Sequence, residues 1–125
     1  LEAQMQKQKT NIDWHYQRKN CQTCQKAQDY IDSAKVAVSE VVDARKVRID
    51  PQAAVAMARS MEQIHATKGS KVVCFDLKAD KPSDEDLVSL LIGPSGNLRA
   101  PSIKVGKTLV VGFSPEVYKQ VLGDN

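Results

Sequence analysis

The chain has 125 residues, 42% of them hydrophobic and 26% charged, which describes a globular unit able to bury one core and excludes a low-complexity or fibrous chain. Its 18 basic and 15 acidic residues leave a net charge of +3, spread along the sequence without the basic run or aromatic interleaving of a nucleic-acid surface. No apolar stretch approaches the ~20 residues that cross a bilayer, and the polar start lacks the apolar region of a signal peptide.

Nucleic acid and membrane are therefore unsupported as partners, and the sequence reads as cytoplasmic. Residues 1–11 read as a disordered or tag-like N-terminal tail, with Leu1 to Gln4 ahead of Met5 and a solvated Gln6-Lys7-Gln8-Lys9. Residues 12–125 read as a single domain.

Ile12 to Tyr16 alternates and favours strand residues, so a first strand leads through polar Gln17 to Asn20 into Cys21. Cys24, Ala27, Ile31 and Ala34 then recur at helical spacing, which predicts a helix from Gln22 to about Ala34 with Cys21 at its start. Val36, Val38 and Val41-Val42 suggest a second strand. Asp50-Pro51 caps a second helix, which the spacing of Ala54, Val55, Ala58, Met61, Ile64 and His65 carries towards a stop at Gly69. Val72 to Leu77 has strand character without an obvious hairpin partner.

Ser83 with Asp86 forms a capping pattern for a third helix through Ile92, which Gly93-Pro94-Ser95-Gly96 ends. Ser102 to Val105, Gly106-Lys107 and Thr108 to Val111 make a hairpin with a two-residue turn. Ser114-Pro115 caps the last helix, with Val117, Tyr118, Val121 and Leu122 on its apolar face and Gly123 at its end. An early βαβ unit joined to a late ββα unit gives an α/β chain of thioredoxin-like fold, a mixed central sheet flanked by helices with a helical insertion.

The chemistry concentrates at Cys21-Gln22-Thr23-Cys24. Three cysteines, two of them spaced Cys-x-x-Cys, do not make the disulfide framework of a small secreted domain and point to reactive or metal-binding thiols. A thiol attacks as thiolate, and a helix N-terminus offers free N–H groups and the positive end of the dipole to hold that anion. Cys21 is placed as the attacking thiol and Cys24, deeper in the helix, as the resolving one. Arg18, Lys19 and Lys26 lie near enough in sequence to lower the Cys21 pKa, and Arg18 and Lys26 are the candidate thiolate-stabilising residues. A zinc site needs a second ligand pair, and the spacing of Cys74, His65 and His15 matches no zinc motif, so neither metal nor cofactor is expected.

Other marked residues take structural readings. Cys74, inside Val-Val-Cys-Phe, reads as a small buried residue. His15 reads as a polar face residue of the first strand and His65 as a helix-end residue, solvated or a weak partner of the helix dipole. Trp14 and Tyr16 share one strand face and pack there. Gly93 to Asn97 lacks the lysine and spacing of a phosphate-binding loop and reads as a turn on the rim of the site.

With Cys21-Gln22-Thr23-Cys24 after a first strand, Arg99-Ala100-Pro101-Ser102-Ile103 before the hairpin, and Val111-Gly112-Phe113 after it, the chain resembles the arsenate-reductase-like (ArsC/Spx) family. The likeness covers most of residues 12 to 122 and is nearest to a bacterial branch of ArsC-family (seleno)proteins. It implies a cis Pro101 facing Cys21, with Pro101, Ala100 and Arg99 as substrate-binding residues. It also implies a protein or small-molecule disulfide as substrate, and thioredoxin or glutathione as reductant. Gln25 and Ala100 stand where arsenate reductases carry arginine, and Cys24 stands at the family's usual serine, so arsenate reduction is not expected. Two functions remain: a thiol–disulfide oxidoreductase, or an Spx-like redox-sensitive binding protein without turnover, whose Arg-Arg-Pro keeps only Arg99 here.

Overall fold

The computed structural model describes residues 11–123; the tail read at residues 1–11 lies, but for Asn11, outside them. Eleven elements follow one another: β1 (Trp14–Gln17), α1 (Gln22–Ala34), β2 (Val41–Asp43), α2 (Pro51–Arg59), β3 (Gln63–Lys68), β4 (Lys71–Asp76), α3 (Leu77–Asp80), α4 (Asp84–Leu91), β5 (Ser102–Val105), β6 (Thr108–Val111) and α5 (Pro115–Leu122). The strands form one mixed sheet in the order β2-β1-β5-β6-β3-β4. β1 runs parallel to β2 and antiparallel to β5, and β6 runs parallel to β3. This is the thioredoxin-like α/β fold expected from the element order.

Strand alternation divides the core. Trp14 and Tyr16, stacked with ring centroids 5.2 Å apart, share one face with Ile64, Ala66, Leu109 and Val111, under Ala54 and Ala58 of α2 and Leu87, Leu90 and Leu91 of α4. Ile103, Val105 and Val110 face the other way, under Ala27 and Ile31 of α1 and Val117, Tyr118 and Leu122 of α5. The expected caps are all present: the Asp50 side chain accepts from the Ala53 N–H at 2.8 Å, Ser114 from Val117, and Ser83 with Asp86 completes a capping box.

Three sequence expectations change. The second helix ends at Arg59, and Ile64 and His65, expected to continue it, belong to β3. Met61, Ile64 and His65 do fit a helical spacing, but Ile64, His65 and Ala66 are all buried, as a strand covered on both faces requires. Gly69, expected as a helix stop, instead turns a β3–β4 hairpin at φ +62°, with Lys68 opposite Lys71, so the misread segment is the missing partner of Val72 to Asp76. Val36 and Val38 precede the second strand, with Val38 making only an isolated bridge to Ile12.

Candidate functional site

β1 delivers the chain to a short polar loop, and α1 begins immediately after Cys21. Cys21 is the N-cap residue in extended conformation (φ −113°, ψ 118°), and its Sγ accepts the Cys24 backbone N–H at 3.3 Å. The sulfur thus takes the place that a capping oxygen usually fills. No acidic residue lies in the first turn of α1 to oppose the positive end of its dipole.

Both thiols are free, Cys21 half-buried and Cys24 buried. Partial burial works against the anion at Cys21. It is outweighed by hydrogen bonds from the Cys24 thiol and backbone N–H and by the hydrogen bond and charge of Arg18, which together hold the thiol below its ordinary pKa. Cys24 moves the other way, pushed up to about 12 by burial first and then by its bond to Cys21. The surroundings therefore favour the thiolate at Cys21 and the protonated thiol at Cys24.

A cleft of about 810 Å³ opens over Cys21, lined among others by Arg18, Gln25, Val41 and Asp43. Lys26 is exposed on α1 and does not line it. Gln25 donates from Nε2 to Asp29 Oδ1 at 2.9 Å. The Ala100–Pro101 bond is cis. The pairing of Tyr16 with Ser102 brings Pro101 level with Gln17, at the end of the sheet from which the Cys21 loop departs. Pro101 is buried and its carbonyl accepts the Gly112 N–H at 2.8 Å. Arg99 is held inward, donating to the Thr67 carbonyl at 2.7 Å, the Leu90 carbonyl at 3.0 Å and Thr67 Oγ1 at 2.9 Å. Ala100 and Arg99 line a second cleft that meets the first at Arg18.

The histidines and Cys74 differ from expectation. His15, read as a polar face residue, is fully buried with neither ring nitrogen hydrogen-bonded, and burial lowers its pKa. His65, read as a helix-end residue, is buried in β3, where its Nδ1 lies 2.9 Å from Cys74 Sγ. Cys74, read as buried, is exposed on the edge strand β4. The His65 and Cys74 corrections share a cause, since placing 63–68 in a strand sets His65 of the inner strand β3 opposite Cys74 of the edge strand β4. No cluster of metal-ligating residues occurs among the described residues.

The family model for the ArsC family matches residues 16–121. The chain belongs to the ArsC family. The cysteine pair, the cis proline and the late hairpin are thus placed within an ArsC-family fold, and that family carries thiol redox chemistry. Among solved structures, the YffB (PA3664) protein is similar in fold, with a TM-score of 0.54 and 21% identity over 88% of this chain and 98% of its own. No curated protein matches the chain. No helix among the described residues is long and apolar enough to cross a membrane.

Proposed function

We propose that this ArsC-family chain is a thiol–disulfide oxidoreductase in which Cys21 attacks and Cys24 resolves. The observation that carries the reading is the opposed preparation of the two thiols: Cys21 Sγ capping α1 beside Arg18, and Cys24 buried one turn further on with its proton retained. The Cys21 thiolate attacks one sulfur of a substrate disulfide, forming a mixed disulfide and releasing the other half as a thiolate. Cys24 loses its proton and attacks Cys21 Sγ, forming the Cys21–Cys24 disulfide and releasing the second substrate thiol. Two substrate sulfurs are reduced and two protein sulfurs oxidised. A thioredoxin- or glutathione-type reductant of the kind the family uses restores the dithiol.

Arg18 is the cation at the thiolate, and exposed Lys26 adds only a screened field. Ala100 lines the neighbouring cleft, which meets the Cys21 cleft at Arg18, and Arg99 fixes that loop from within. The reading does not extend to arsenate, because Gln25 and Ala100 stand at the two positions where, by the resemblance, arsenate reductases carry arginine.

The test is steady-state reduction of 2-hydroxyethyl disulfide with a thioredoxin or glutathione recycling system. Wild type should turn over, Cys21→Ser should lose all activity, and Cys24→Ser should accumulate a mixed disulfide at Cys21. Reversible oxidation without turnover would overturn the enzyme reading and favour a redox-controlled binding protein.

A further inference from the structure

The second cleft, of about 680 Å³, is lined by Arg18, Arg45, Arg48 and Arg99 and by no acidic residue. These arginines come from the β1–α1 loop, the segment after β2 and the segment before β5, so the charge is assembled by the fold and is not a run in the sequence. Elsewhere an arginine is directly compensated: Arg59 Nη2 lies 2.6 Å from Asp84 Oδ1. Asp43, in the same segment, lines the Cys21 cleft, and its Oδ1 accepts the Arg45 backbone N–H at 2.8 Å.

The backbone that carries the cationic wall is held in place. Tyr16 Oη donates to the Val47 carbonyl at 2.6 Å, the Lys46 and Val47 N–H groups both donate to the Asp43 carbonyl, and the Leu98 N–H donates to the Ile49 carbonyl at 2.7 Å. The segment bearing Arg45 and Arg48 is thereby tied both to the sheet and to the loop opposite. Arg45 and Arg48 remain exposed, whereas the Arg99 guanidinium is engaged by neutral carbonyl and hydroxyl oxygens, which leave its charge uncancelled. Ser95 and Asn97 add polar groups across the cleft. Arg18 lines both clefts, so this wall continues directly from the sulfur of Cys21.

We infer that the Arg45–Arg48 cleft is an anion subsite that selects disulfides carrying carboxylates a few bonds from the sulfur. The inference rests on the thiol–disulfide reading and names its substrate class. A carboxylate on the half of the substrate that becomes bound to Cys21 would lie over the guanidinium wall, which raises its local concentration and orients the S–S bond. The donors for a bidentate carboxylate contact are the guanidinium forks of Arg45 and Arg48.

The experiment uses the full chain and three aliphatic disulfides: 3,3′-dithiodipropionate (anionic), 2-hydroxyethyl disulfide (neutral) and cystamine (cationic). The rate of Cys21 oxidation is measured for wild type and for Arg45→Gln/Arg48→Gln. The wild-type-to-variant ratio for each probe cancels that probe's intrinsic reactivity, and the neutral probe controls for folding and for thiolate content. The anionic probe should react roughly five- to tenfold more slowly with the variant, as expected for two exposed charge contacts. The neutral probe should be unchanged, cystamine should be unchanged or faster, and 1 M salt should erase the difference.

Equal slowing of all three probes, or no slowing of the anionic one, overturns the subsite while leaving the redox reading intact. Failure of wild type to react even with the neutral probe removes both. A disulfide-bearing acidic peptide run in parallel identifies the source: greater slowing than for dithiodipropionate supports the subsite with protein segments as its ligand, and equal slowing supports it with small disulfides.

Discussion

Residue by residue, side chains of the same type have been given opposite chemistry by position. Cys21 and Cys24 differ by one turn of helix, yet one receives N–H and guanidinium donors and the other is buried, a contrast of environment that the Cys-x-x-Cys spacing at a helix start implied. His15 was not legible in that way. Strand alternation puts it opposite Trp14 and Tyr16, and the sequence does not tell whether that second face is solvated or covered; α1 and α5 cover it completely. Burial lowers the His15 pKa and no charge offsets it, so the unfolded chain takes up its proton more readily than the folded one. The stability associated with His15 is therefore full above the unfolded pKa of about 6.5 and is lost as pH falls from there towards the lower folded value. Urea midpoints between pH 7.5 and pH 5 should fall for wild type and fall less for His15→Leu.

At the scale of elements, starts are better specified than ends. Asp50, Ser83 and Ser114 each present a side-chain oxygen to an N–H that the first turn leaves unpaired, a local rule that can be read from four residues. Removing the Asp50 oxygen with Asp50→Ala should cost about 1 kcal/mol, read as a lowered urea midpoint with an unchanged slope. The end of α2 has no such local mark. Residues 61–65 keep a helical spacing, and what makes 63–68 a strand is pairing with β6, more than forty positions away in sequence, together with the turn at Gly69. Tertiary pairing overrides the local period there, and with it went the placement of His65 and Cys74.

For the whole molecule, the sheet order decides which distant segments meet. β5 lies between β1 and β6, so the cis Pro101 at the start of β5 reaches the end of β1 that leads to Cys21. The cysteine pair was visible in four consecutive residues, whereas the arginine cleft gathers positions 18, 45, 48 and 99 and had no contiguous signal. Arg99 shows how the two halves are fastened. Its guanidinium spans from the segment before β5 to Thr67 at the end of β3 and to Leu90 in α4, and the Gly112 backbone lies against that contact. Gly112 adopts φ +85°, which disfavours any side chain, and a Cβ there would run into Thr67 Oγ1 and crowd the Arg99 guanidinium. Its N–H also holds the Pro101 carbonyl at 2.8 Å. Gly112→Ala should therefore combine a left-handed backbone penalty with local overpacking, about 2–4 kcal/mol in total. Because the displaced groups are Thr67, Arg99 and the Pro101 loop, the damage should reach the redox site as well as stability. Where the variant remains folded, its rate with 2-hydroxyethyl disulfide should fall, while the pH dependence of Cys21 alkylation, set by Cys24 and Arg18, stays as in wild type. A variant as stable and as active as wild type would show that the Arg99 strap does not position the loop.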